Sequence, residues 1–306
     1  MKRKLIALGT LFAICLPMLA TNMVVKQKNG EIVRFDVSEV NEVIFSESTP
    51  EDPTVVDESE TPLRFKILSD STVEVTNENV SYSTFPDTIM IPAKVRIKDV
   101  VYTVVGIGDR AFGSCRSKKI ELPSTITYIK FLAFSWCENL TEINIPKSVT
   151  DIEKLAVFNN CSKLKNINVA TDNPNFSSAD GVLYNKDKTK IICVPGGIRG
   201  DFTIPSSVNC IGHSAFRSDS LTSIKIPSSV TEIGDGAFLY CYKLTNINVA
   251  ADNANFTSID GVLYSKDKTE LVSYAYGIKV VEHYFQTYKF SSFSHTIFNL
   301  WFFNSQ

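Results

Sequence analysis

Ile226-Pro-Ser-Ser-Val-Thr-Glu-Ile-Gly-Asp-Gly-Ala-Phe238 is the stretch whose reading decides the fold, because it returns. Ile145-Pro146 leads through Ser148-Val149-Thr150-Asp151-Ile152 in the same order, and the Ala-Phe pair falls at Ala111-Phe112, Ala133-Phe134, Ala215-Phe216 and Ala237-Phe238, with a looser copy at Phe158. Phe112 and Phe134 lie 22 positions apart, as do Phe216 and Phe238. A period in the twenties with aliphatic residues at fixed offsets predicts a stacked solenoid in place of a globule with one enclosed core.

The phrase explains its own coil. In Leu221-Thr-Ser-Ile-Lys-Ile-Pro227 the alternation of a strand turns Ile224 and Ile226 inward, with Leu221, and leaves Ser223 and Lys225 outside. Pro227 offers no N–H to a ladder, so it suits the strand's end. Val230 and Ile233 return to the interior on the opposite wall, and Gly234 permits a sharp turn. Ala237 leaves room for Phe238, which is expected to lie beside the Phe of the next coil in a continuous spine.

A second, longer repeat is superimposed. Ile167-Asn-Val-Ala170 through Asp180-Gly-Val-Leu-Tyr184 matches Ile247-Asn-Val-Ala250 through Asp260-Gly-Val-Leu-Tyr264, each followed by Lys-Asp-Lys-Thr. A Val-Leu-Tyr strand, a polar turn and a returning strand (Ile191-Ile192, Leu271-Val272) predict an inserted hairpin in each copy.

These phrases resemble the BspA-like leucine-rich repeat family of secreted and surface proteins. The motifs that carry the resemblance are Ile226 to Phe238, Lys243-Leu-Thr-Asn-Ile-Asn-Val249 and the Asp-Gly-Val-Leu-Tyr-x-Lys-Asp-Lys-Thr hairpin, and they cover Leu63 to Ile278. The resemblance implies a right-handed leucine-rich repeat solenoid, mostly β, with a parallel sheet on one face and short strands or helical turns on the other. It implies adhesion to host matrix proteins or other cells, and it supplies no catalytic residues.

The rest of the chain divides around that array. Residues 1–20 read as a signal peptide: Met1-Lys-Arg-Lys4 is basic, Leu5 to Leu16 is apolar, and Ala20 precedes a polar change. This predicts export to the bacterial surface or medium. Residues 21–47 form a small β-rich segment whose Lys28-Asn-Gly30 predicts a hairpin. Residues 48–62 are acidic and proline-bearing, and read as a solvated linker. Residues 63–106 read as the N-terminal cap and 107–278 as the repeats. Residues 279–306 break the pattern: Val280 to Gln306 has no Gly, Pro or Asp, which fits a divergent cap or, as the favoured reading, a frame change or truncation.

Composition narrows the function. With 31 basic and 33 acidic residues among 306 and a formal charge of −2, no basic stripe points to nucleic acid. No later run is long enough to span a bilayer. Without Cys15, six cysteines remain. Cys115, Cys137, Cys161 and Cys241 recur at one repeat position and read as small buried thiols, while Cys193 and Cys210 are off it and either bridged or free. The three histidines belong to no catalytic motif, and Asp172-Asn-Pro-Asn175 and Asp252-Asn-Ala-Asn255 lack calcium-loop spacing, so they read as self-capped turns. No cofactor, metal or catalytic residue is expected.

What remains is surface. The outward residues of the sheet make two columns, Lys119, Glu142, Asn166, Ser223 and Asn246 beside Glu121, Asn144, Asn168, Lys225 and Asn248. They are the candidate binding face, with Tyr184 and Tyr264 as candidate hairpin contacts. The functional expectation is a non-enzymatic module that binds an extracellular protein or glycan. The alternatives are a structural spacer without a specific ligand and, less favoured, an extracellular hydrolase.

Overall fold

The computed structural model describes residues 55–77, 85–153, 156–218 and 220–275 in full, together with the backbone of the strands Arg3–Ile6, Asn22–Lys26, Ile32–Asp36, Val40–Ile44 and Lys289–Phe290. The chain forms two compact units, Met1–Val55 and Val56–Gln306. In the first, Asn22–Lys26 and Ile32–Asp36 pair antiparallel, the hairpin that Asn29-Gly30 announces, and Arg3–Ile6 pairs parallel with Val40–Ile44. The rest of the leader reading, residues 1–2 and 7–20, lies outside the described residues.

The second unit is a solenoid of leucine-rich repeats built from parallel ladders. On one wall Thr88–Met90, Lys119–Glu121, Glu142–Ile145 and Asn166–Val169 stack as a four-stranded parallel sheet. On the other, Val100–Ile107 pairs with Tyr128–Ile129, which pairs with Asp151–Ile152. The same construction resumes with Gly200–Thr203, Leu221–Ile226 and Asn246–Val249 opposite Lys190–Cys193, Cys210–Ile211 and Glu232–Ile233. Thr88–Met90 is already a full partner of the repeat sheet, so rungs begin inside the segment read as a cap. Part of the acidic linker is also folded: Val55–Asp57 pairs with Lys94–Ile97, and Asp57 meets Arg96 at 3.5 Å. The Val55-Val56 pair supplies an apolar edge that the surrounding carboxylates obscured.

Inside, the expected spine exists in two pieces. Phe112, Phe134 and Phe158 stack with ring centroids 5.4 and 5.3 Å apart, and Phe216 lies 5.2 Å from Phe238. All five rings are buried. The backbone shows why the stack breaks. Where one Phe rung follows another, the Phe amide donates to the residue before the next Phe: Phe112 to Ala133, Phe134 to Val157, Phe216 to Ala237. Val194 makes that same bond to Ala215. The hairpin-bearing rung therefore puts Val194 in the Phe position and continues with Pro195-Gly196-Gly197 in place of the usual turn. A Cβ on Gly197 would lie 2.6 Å from the Leu164 carbonyl oxygen, so this shortened turn presses on the rung before it and admits no side chain there.

The inserts are three-stranded meanders. Phe176–Ala179, Val182–Asn185 and Lys190–Cys193 run antiparallel, as do Phe256–Ile259, Val262–Ser265 and Glu270–Tyr274. The extra strand enters through Asp180-Gly181 and Asp260-Gly261, where both residues of each pair have positive φ, the geometry of a tight two-residue hairpin turn. In the tail, Lys289–Phe290 pairs parallel with Glu270-Leu271, where the next rung's short strand would lie. The rest of residues 279–306 falls outside the described residues.

Candidate functional site

The parallel ladder sets the outward columns in register. Lys119 faces Glu142, Glu142 faces Asn166, and Asn144 faces Asn168, whose amide donates to the Asn144 side chain at 3.0 Å. Beyond the inserted meander, Ser223 faces Asn246 and Lys225 faces Asn248. The ten residues thus lie on two sheets, one running from Thr88–Met90 to Asn166–Val169 and a separate one begun by Gly200–Thr203. Met90, 71% exposed, extends the Glu121 column, and Asp201 and Thr203 extend the second pair. Lys119 meets Glu121 at 2.7 Å, and that bond raises the Lys119 pKa.

Two placements differ from expectation. Ser223 is buried, because Asn248 on the next rung reaches over it and donates to its hydroxyl at 3.3 Å. Tyr184 and Tyr264 are also buried, at 3% and 1% exposure, so neither ring is presented to a partner in solvent. Each sits on the central strand of its meander; the hairpin reading, with one strand fewer, left them at an edge.

The structure also brings together side chains that no motif singled out. The turns after Phe134, Phe158, Phe216 and Phe238 carry Trp136, Asn160, Arg217 and Tyr240 to one flank of the solenoid, where they line a groove of about 660 Å³ with Phe131, Tyr242 and their neighbours. The Arg217 guanidinium lies 4.9 Å from the Tyr240 ring centroid, and Tyr240 and Tyr242 are 6.0 Å apart. The signal was present in the repeat itself, as aromatic residues at the variable positions of Ala-Phe-x-x-Cys.

The model of the family described as "BspA type Leucine rich repeat region" matches the chain in 6 copies, over residues 70–198 and 200–300. The chain belongs to that family. Solved structures similar to this BspA-type chain include a leucine rich cell surface protein from Faecalibacterium prausnitzii, 27% identical over 70% of this chain and 60% of that one, with a TM-score of 0.39. Another is the pneumococcal vaccine antigen PcpA, 20% identical over 60% and 67% of the two chains, with a TM-score of 0.38. A third is the leucine-rich repeat protein of T. pallidum, 21% identical over 60% and 87%, with a TM-score of 0.37. No curated protein sequence matches it.

Within this BspA-type array three of the four repeat cysteines bind backbone. The thiols of Cys137, Cys161 and Cys241 donate to the carbonyls of Phe112, Phe134 and Phe216, each one rung back, at 3.0–3.1 Å. Cys193 and Cys210 are free thiols as well. The oxygen-rich turns are self-capped: buried Asn173 donates to the carbonyls of Pro146 and Val149 and accepts from the amides of Asn175 and Phe176. Asn253 repeats the arrangement with Pro227, Val230, Asn255 and Phe256. Among the described residues no cluster of His, Cys, Asp or Glu could hold a metal ion, and no helix is long and apolar enough to cross a membrane.

Proposed function

We propose that this BspA-type chain is an exported, non-enzymatic binding module that presents its repeat surface to an extracellular protein or glycan. One observation carries the reading: successive rungs hold outward side chains in strict register on a backbone ladder, so a partner meets a surface that is already ordered before it arrives. Such preorganisation lowers the entropic penalty of association. The basic and apolar opening, Met1-Lys-Arg-Lys4 and Leu5 to Leu16, supports export. The columns Lys119, Glu142, Asn166 and Asn246 with Glu121, Asn144, Asn168, Lys225 and Asn248 are the proposed face.

The test is capture by the intact folded chain from arrays of matrix proteins, mucins and bacterial surfaces. A specific ligand is expected, and its binding should fall when Glu142→Lys, Asn144→Asp and Lys225→Glu are combined without change in melting temperature. Absence of any ligand on all three arrays overturns the reading. A spacer would tolerate the same three substitutions.

A further inference from the structure

The flank groove lies at the rung whose turn is shortened. Along the array the turns bearing Trp136 and Asn160 come first, then the shortened Val194-Pro195-Gly196-Gly197 rung, then the turns bearing Arg217 and Tyr240. The missing turn leaves a notch, and a small void of about 20 Å³ reaches down through it to Cys193 and Val194. The walls are aromatic and amide-rich, with Trp136 and Tyr242 52% and 54% exposed.

Two independent features mark this notch. First, it holds two of the four buried side-chain atoms that have no hydrogen-bond partner among the described residues, Asn159 Oδ1 and Arg217 Nε. Buried polar atoms of this kind are rare and call for an explanation. Arg217 packs on Tyr240, touches Ser214 Oγ at 3.4 Å and shares the lining of the small void with Glu153, and burial lowers its pKa. Second, the residue two places after Phe is left-handed in each complete turn: Ser114 at φ 66°, Trp136 at 61°, Asn160 at 56° and Tyr240 at 63°. Asn accepts that conformation readily, whereas bulky aromatic residues do not. Trp and Tyr therefore occupy positions where the backbone disfavours them, as residues kept for what they present outward do.

The lining chemistry selects the ligand. The C–H face of a sugar ring is apolar and faintly positive, which suits the negative face of Trp or Tyr. Asn159, Asn160, Ser162 and Ser214 offer partners to hydroxyls. Arg217 offers a planar fork to a carboxylate. Two carboxylates border the site: Glu138, two residues after Trp136, lines the groove, and Glu153 lines the small void beneath it. The Trp136 amide is already spent on the Asn159 carbonyl at 2.7 Å, so it has no donor to give a peptide strand. We propose that the groove binds a glycan carrying a carboxylated hexose, with its carboxylate on Arg217 and sugar rings stacked on Trp136 and Tyr240. This rests on the extracellular binding role above and names one ligand class for it.

The experiment is isothermal titration of the intact chain with tetragalacturonate, its fully methyl-esterified form, and hexaglutamate. Saturable binding of the acid is expected, weakened at least about tenfold by esterification and by Arg217→Ala, as loss of a charged hydrogen bond predicts. Trp136→Asn and Tyr240→Asn should weaken it as well, with melting temperature unchanged or raised because Asn suits the left-handed site, so lost binding in a folded variant supports the proposal. No binding of the acid, equal binding of acid and ester, equal binding of hexaglutamate, or full binding by the Arg217 and Trp136 variants overturns it. The broader role fails differently. A ligand captured normally by the groove variants but lost with the sheet-face variants sinks the groove and leaves the binding role standing.

Discussion

The Tyr128 hydroxyl donates to Glu74 at 2.9 Å, joining residues 54 apart in sequence at the start of the array. Glu74 is only 3% exposed and also takes Lys130 at 2.8 Å, so this carboxylate is buried and doubly bonded. The Tyr128 ring lies directly over Gly106, where a Cβ would fall 2.0 Å from its Cζ. Burial, then the bond to Glu74, raises the Tyr128 pKa well above its ordinary value. The folded state therefore holds the proton more tightly than the unfolded state. This contribution is complete below about pH 10 and is lost as pH rises toward the raised value. Urea midpoints at pH 8 and pH 10.5 should fall further for the native chain than for Tyr128→Phe. At pH 8, Tyr128→Phe should cost about 1–3 kcal/mol. Gly106→Ala should also destabilise, since the ring must move.

Asn173 bridges two rungs with all its hydrogen-bonding capacity. Asn173→Asp removes both donors and points an acceptor at the carbonyls of Pro146 and Val149. A loss of about 2–4 kcal/mol is expected, larger than for an exposed turn residue. Equilibrium denaturation of Asn173→Asp and Asn253→Asp, made singly, should give similar losses, because the two sites are built alike. A large difference between them would count against the shared role.

The Phe stack is rigid because each ring is held by its neighbours and by the rung ladder. Phe134, between Phe112 and Phe158, has a ring on both sides. Phe134→Ala should cost about 3–5 kcal/mol, and Phe134→Leu distinctly less. Equal effects of the two would mean that the stack relaxes around the hole.

Cys115, Cys137, Cys193 and Cys210 should be unreactive in the folded chain. Burial raises the pKa of Cys115 and Cys210 and pushes Cys193 up to about 12; Cys161 and burial together raise Cys137 well above the ordinary range. Since the thiolate is the nucleophile, a colorimetric disulfide reagent at pH 8 should titrate almost none of these thiols until denaturant is added. Rapid stoichiometric reaction of any of them in the folded state would contradict the packing described.

Much of the fold was legible in sequence because repetition states the same local rule several times. Ile143, Ile167, Ile224 and Ile247 are buried, as the strand alternation requires. What failed to read were properties of rungs in contact. Ser223 follows the alternation, but its burial depends on Asn248 one rung away. Tyr184 and Tyr264 looked peripheral until the strand entering through Asp-Gly placed them at the centre of a meander.

The sequence by itself determined the winding of the array, since period and side-chain type dictate which atoms leave water. Only the tertiary structure decided where that winding is interrupted. Val194 takes the Phe position through a backbone bond to Ala215, and the short glycine turn that follows opens the notch. Trp136 and Arg217 lie far apart in the chain and line one groove, because stacking converts sequence distance into a few rung spacings.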